Sequence, residues 1–189
     1  MTTYHIGLDV GTTATKACAF TTSGEMIGMV ERDYELLHPA PGAAVQQPMD
    51  ILRAAEDALA ELVRSTEGTP AGVGLSCPMH SLLLCDEHET PLDYVITWAD
   101  TLAQAVMDEI SEEDRQELHR VTGTPVHPMS PMVKLRWLLR ENLALKDKAV
   151  FCYGLKSFLT KSWTGTAVLD EQLASATGLY DIKKNEWSK

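Results

Sequence analysis

The constraint that narrows the fold most is a strand, a glycine turn and a second strand packed into the first twenty residues. His5-Ile6-Gly7-Leu8-Asp9-Val10 alternates around one apolar face, and Gly11-Thr12-Thr13 breaks the chain directly after it. Thr15 to Phe20 is a second strand-like run, rich in Ala, Cys and Phe. Ser23-Gly24 supplies the next turn, and Met26 to Val30 begins a third run. The pattern predicts an antiparallel meander of three strands. Residues 37–48 carry three prolines and a glycine, which makes them a connection.

Beyond the meander, a helix is predicted to start near Pro48 and Asp50. Ile51, Ala55, Ala58, Leu59, Leu62 and Val63 fall at helical spacing, with Glu56, Asp57, Glu61 and Arg64 on the other face. Gly72 to Ser76, Leu82 to Cys85 and Asp93 to Thr97 read as short strands, the first two separated by Cys77-Pro78-Met79-His80. From there the chain reads as mostly helical. Ser111 with Asp114 marks one helix start. Val133 to Leu145 has an apolar stripe at Leu135, Leu138, Leu139 and Leu143, and a last helix is expected over Leu155 to Trp163. Three strands, a helix, a strand and then insertions form a mixed α/β layout rather than alternating βα units.

A length of 189 residues suits one ordinary domain with one substantial core. A net charge of −11 argues against attraction to nucleic-acid backbones or anionic membranes, both of which need a basic surface. An anionic substrate must then be held by a few local donors. No apolar run reaches the roughly 18 residues that span a bilayer. The opening Met-Thr-Thr-Tyr-His lacks the segments of a signal peptide. Cys18, Cys77, Cys85 and Cys152 lie in apolar or strand-like stretches without paired spacing. They read as reduced, buried thiols of a cytoplasmic protein rather than a zinc or disulfide set.

Two segments carry candidate chemistry. In Asp9-Val10-Gly11-Thr12-Thr13-Ala14-Thr15-Lys16 a strand ends in a carboxylate, followed by a glycine turn, two hydroxyls and a lysine. Gly11 can take backbone angles closed to other residues and so turn successive N–H groups toward a phosphate. Asp9 repels phosphate but can hold a hydrated Mg²⁺ that bridges to it. The alternative is a plain hairpin turn with an Asx-type bond from Asp9, and GxxxxGK[ST] is missing, so this is no P-loop. The second cluster is Met79-His80 with Trp98-Ala99-Asp100. A sugar needs a flat apolar face, which Trp98 offers, and groups that read hydroxyls, which Asp100 and His80 offer. The alternative is a core tryptophan and a satisfied histidine.

Gly7-Leu8-Asp9-Val10-Gly11-Thr12-Thr13, with a basic residue three further on, resembles the first phosphate motif of the actin, hexokinase and Hsp70 superfamily. The Thr-Thr pair, and the meander leading to Gln46-Gln47-Pro48, resemble its FGGY carbohydrate-kinase branch. The resemblance runs nearly the whole chain. It implies a ribonuclease-H-like α/β fold whose mixed sheet starts with the three-strand meander. It also implies ATP as a substrate, Mg²⁺ at Asp9, and phosphate contacts from Gly11, Thr12, Thr13 and Lys16.

Within the family, Met79-His80 resembles the xylulose and gluconate kinases rather than the glycerol kinases. Thr122-Gly123-Thr124-Pro125-Val126-His127-Pro128-Met129-Ser130-Pro131, leading into Lys134-Leu135-Arg136-Trp137, resembles the gluconate form of a family signature. So do Ile96-Thr97-Trp98-Ala99-Asp100 and Ala174-Ser175-Ala176-Thr177-Gly178-Leu179. The resemblance places Met79, His80, Trp98, Asp100, His127 and Met129 around the sugar. His127 reads equally well as a plain helix-entry residue. Two positions depart from the pattern. Leu102 stands where these kinases usually carry Arg, a donor able to bind a carboxylate or fix Asp100. Cys77-Pro78 replaces a small or polar pair, and Pro78 removes an N–H from the loop.

The resemblance further implies that residues 1–189 are an incomplete N-terminal, substrate-binding domain. The base, an Asp in a Gly-Asp motif, and a C-terminal ATP domain are expected beyond Lys189, and Asp170-Glu171, in a connection and solvated, is no substitute. The chain alone is then expected to be inactive. Alternative readings are part of a xylulose or other ketopentose kinase, or a non-catalytic binding and assembly domain that self-associates, for instance as a homodimer.

Overall fold

The structure, a computed structural model, describes residues 3–188. In chain order the elements are strands β1 (Thr3–Val10), β2 (Ala14–Thr21), β3 (Met26–Asp33) and β4 (Val45–Gln46), helix α1 (Pro48–Ser65), and strands β5 (Thr69–Ser76), β6 (Leu83–Cys85) and β7 (Val95–Ile96). A 3₁₀ segment, Leu102–Glu109, precedes helices α2 (Glu112–Thr122), α3 (Pro131–Glu141) and α4 (Leu143–Lys148). Strand β8 (Phe151–Tyr153), helices α5 (Leu155–Thr164) and α6 (Glu171–Ala176), and strands β9 (Tyr180–Asp181) and β10 (Glu186–Trp187) complete the chain. Two compact units result, each with its own core: residues 3–36 with Gln46–Pro78, and Leu37–Val45 with residues 79–188.

In the first unit the meander forms as its alternation dictates. Tyr4, Ile6, Leu8 and Val10 of β1 are buried, and the residues between them point to the other face. Four strands form one sheet in the order β3-β2-β1-β5; β1 is antiparallel to β2 and parallel to β5. Helix α1 covers one face with Ile51, Leu52, Ala54, Ala55, Ala58 and Leu62. Pro48 at its start and Asp50 in the first turn suit the free N–H groups there, as Arg64 suits the last turn. Helix and sheet meet closely at Gly28, where a Cβ atom would lie 3.1 Å from Leu62 Cδ1. Arg32 of β3 pairs with Glu61 of α1.

The second unit is assembled from short pieces. Strand β6 pairs antiparallel with β8, and β9 with β10. Leu82 and Ile96 exchange both backbone bonds, so the residue two after His80 is tied to the strand that leads to Trp98. One apolar cluster joins Ala103, Val106, Met107 and Ile110 to Val133 of α3. Another gathers Val45, Leu82, Leu84 and Ile96 beneath Leu135, Trp137 and Leu138.

Several expectations need correction. The helix expected over Val133 to Leu145 is two helices, because Asn142 adopts a non-helical φ of −131° and its side chain caps α4 by accepting from the Leu145 N–H. The strand expected over Asp93 to Thr97 shrinks to Val95–Ile96. Asp170-Glu171 is not a plain connection: Asp170 caps α6 through the Leu173 N–H and pairs with Lys156 at 2.7 Å, while Glu171, in the first turn of that helix, is exposed as expected. Of the four free thiols only Cys85 is buried; Cys152 is exposed. No helix among the described residues is long and apolar enough to cross a membrane.

Candidate phosphate and sugar sites

The turn between β1 and β2 holds the residues expected to meet phosphate. Gly11 is not in the left-handed region, contrary to expectation. Its role is close approach, since a Cβ there would sit 3.1 Å from the Ala14 carbonyl oxygen. Its N–H donates to that same carbonyl at 2.8 Å and is not offered outward. The turn's carbonyls are gripped from behind. The Tyr34 hydroxyl lies 2.7 Å from Gly11 O and 3.0 Å from Ala14 O, and the buried Gln46 donates Nε2–H to Thr12 O at 2.7 Å. Burial, then the nearby Cys77 and Asp9, raises the Tyr34 pKa, so the phenol keeps its proton.

Asp9 is exposed and directly opposite Lys16 in the β1–β2 register, on the same sheet face. Lys16 is shared with Glu31, 3.4 Å away. Thr13 is exposed and Thr12 half-buried. The turn therefore presents one carboxylate, one ammonium and two hydroxyl residues on a clamped backbone. A lone exposed carboxylate fits a largely hydrated Mg²⁺, which keeps several waters and takes one or two protein oxygens.

The sugar candidates all lie in the second unit. His80 has φ 65°, a left-handed conformation costing a non-glycine residue about 1–3 kcal/mol. Its Nδ1 lies 3.0 Å from the Ala176 carbonyl oxygen and must donate, leaving the lone pair on Nε2. Burial lowers the His80 pKa, and Lys134 and His127 add to this against the opposing bond to Ala176. The ring is therefore neutral at pH 7, an acceptor toward a hydroxyl. His127, near enough to weigh on that protonation, is exposed. Its Nδ1 accepts the Met129 N–H at 3.2 Å, which puts the proton of a neutral ring on Nε2. The two imidazoles thus offer one acceptor and one donor. Trp98 and Met79 are about half exposed, at 48% and 52%, and Met129 is half-buried.

Asp100 behaves differently. It is buried, at 2% exposure, and both oxygens are engaged: Oδ2 accepts the Ala44 N–H and Oδ1 the Leu102 N–H, each at 3.0 Å. Leu102 fixes Asp100 through its backbone N–H. Its side chain lines an apolar cavity of about 260 Å³ with Val45, Leu84, Ile96 and Leu138.

One residue was missed as a site candidate. Lys134 of α3 is fully buried, and its Nζ donates to His80 O at 2.6 Å and Thr97 O at 2.7 Å. Burial pushes its pKa down to about 8, against the attraction of Asp100. The sequence signal was a lysine one turn into a helix with an apolar face, a position where a charge has to find partners.

Known proteins resemble this chain over its whole length. The gluconokinase of Bacillus subtilis (strain 168) is 35% identical over 191 residues, covering 100% of this chain and 37% of that protein. The crystal structure of gluconate kinase from Lactobacillus acidophilus superposes with a TM-score of 0.95 at 32% identity, covering 100% of this chain and 38% of that one. A ligand-bound xylulose kinase structure from Lactobacillus acidophilus gives the same TM-score and identity, over 99% of this chain and 38% of that one. The chain thus spans less than two-fifths of the length of these relatives. Residues 4–189 match the N-terminal domain of the FGGY family of carbohydrate kinases, and the chain belongs to that family.

Proposed function

We propose that this chain is the sugar-binding, N-terminal portion of a cytoplasmic gluconate kinase, which transfers the ATP γ-phosphoryl to a terminal hydroxyl of gluconate. The observation that carries the reading is the 35% identity with a gluconokinase over the whole chain, together with the imidazoles of His80 and His127, near enough for one to weigh on the other's charge, and an exposed Trp98 in the same unit. A polyol acid needs alternating donors and acceptors along its hydroxyls and a flat face to lie on. His80 Nε2 accepts, His127 Nε2–H donates, and the Trp98 ring supplies the face. Met79 and Met129 fill the apolar remainder.

At the β1–β2 turn, Thr12, Thr13 and Lys16 are the proposed phosphate contacts. Gly11 serves by letting the backbone come close. Mg²⁺ held through water at Asp9 would neutralise phosphate charge when bound. None of the carboxylates considered suits a general base: Asp9 is assigned to Mg²⁺, both oxygens of Asp100 accept backbone N–H bonds, and Asp170 caps a helix. The 189-residue chain alone is therefore expected to bind sugar without turnover, which coupled ADP release with gluconate and Mg-ATP tests directly.

The substrate itself is tested by a thermal-shift panel of gluconate, xylulose, ribulose and glycerol on the same chain. Gluconate is expected to raise the melting temperature most. A larger shift with xylulose would replace this reading with the ketopentose one, which the equal likeness to a xylulose kinase structure favours.

A further inference from the structure

We propose that Lys134 is the positioning residue of the sugar site, fastening the Met79-His80 loop to the segment that carries Trp98. The inference rests on the sugar-site reading given above.

Lys134 has three protons on a tetrahedral head. Two of them go to carbonyls 17 residues apart in the chain, His80 O and Thr97 O. His80 is a strained residue whose ring is a candidate sugar contact, and the Thr97 carbonyl belongs to the peptide leading into Trp98. Thr97 O also accepts the Asp100 N–H at 3.2 Å, so the anchor reaches the start of the following turn. A filler at this place in α3 would be apolar, because an ammonium loses its hydration on burial and an alkyl chain loses nothing. A neutral side-chain amide has two donors in one plane and does not offer the same fork. Asp100 supplies the balancing charge, and its oxygens are held on backbone N–H groups beside the lysine's field. Through these bonds the spacing between the His80 imidazole and the Trp98 indole follows from one ammonium.

The test is Lys134→Met in the 189-residue chain, a near-equal length without the donors. With no sugar present, the His80 imidazole and Trp98 indole NMR signals are expected to shift, while the melting temperature moves by only a few degrees. Gluconate affinity is expected to fall tenfold or more. Unmoved His80 and Trp98 signals, or unchanged affinity in the folded variant, would overturn the proposal. If the wild-type chain binds xylulose rather than gluconate, only the substrate reading falls. The ligand-free spectra and the xylulose affinity then decide on Lys134.

Should Lys134→Met fail to fold, Lys134→Gln provides a second measurement, since its amide fills the same place while its two coplanar donors do not reproduce the ammonium's fork to His80 O and Thr97 O. In the folded Lys134→Gln chain the His80 and Trp98 signals are again expected to be displaced and gluconate affinity lowered. Unmoved signals in that variant, or unchanged affinity, would sink the idea.

Discussion

The Tyr34 hydroxyl sits 2.7 Å from the carbonyl oxygen of Gly11, so a residue at the end of one strand holds the turn between the two before it. The same hydroxyl lies 3.0 Å from Ala14 O, and its single proton serves one carbonyl at a time. Tyr34→Phe removes this clasp without changing the ring. Its expected cost is about 1 kcal/mol, the usual worth of a hydrogen bond between neutral groups. Urea unfolding of the two proteins measures it, and equal midpoints would show that the clasp does not hold the turn.

Asp100→Asn tests whether this buried carboxylate is part of the frame. An amide offers one oxygen where two backbone N–H groups must be met, and its NH₂ would face the other donor. The expected loss is about 2–3 kcal/mol, as for hydrogen bonds to a charged group. For a chain of this size that lowers the melting temperature by about 4–12 °C. Calorimetry decides; a variant as stable as the parent would show that Asp100 is not structural.

Two glycines should answer alanine in opposite ways. Gly42 has φ +86°, and a Cβ there would lie 2.9 Å from Thr101 Oγ1. Gly42→Ala is expected to destabilise by about 1–2 kcal/mol from the left-handed backbone alone. Gly72 lies in β5 with open space around it and ordinary backbone angles. Gly72→Ala is expected to be neutral or stabilising by up to about 1 kcal/mol, because it narrows the unfolded ensemble. Denaturant midpoints of the pair give the comparison, and a common sign would contradict it.

The His80 pKa is lowered by folding, chiefly through burial. The folded chain then binds fewer protons than the unfolded one as pH drops below the ordinary histidine value of about 6.5. Stability contributed by the neutral ring is present above that value and is lost as pH falls toward the folded pKa. His80→Asn keeps a residue that tolerates the left-handed backbone and removes the titration. Between pH 7.5 and 5.5 the parent should lose more stability than the variant. Parallel losses in urea midpoints would rule the effect out.

The four-strand sheet was legible because its determinants are local. Alternation in β1, turn residues at Gly11 and Gly24, and the apolar stripe of α1 all act within a few residues. The short strands β8, β9 and β10 were not legible, since each is two or three residues long and exists only through its partner. The break at Asn142 was hidden for a similar reason: the apolar period runs on through it, while the cap that stops the helix is a side-chain bond. Around the sugar cluster the residue types could be read and their states could not. Asp100 has the sequence signature of a hydroxyl reader, yet the remote Ala44 N–H takes one of its oxygens. The proton on His80 is likewise placed by Ala176, 96 positions away.

Both acceptors of Lys134 are main-chain oxygens. A carbonyl survives any replacement of the side chain on its own residue, so the anchorage is indifferent to what projects beside it. Met79 and Trp98 can therefore be exchanged for other side chains while the strut beneath them stays in place. Retargeting this lobe to a different polyol becomes a matter of swapping fittings on a fixed mount.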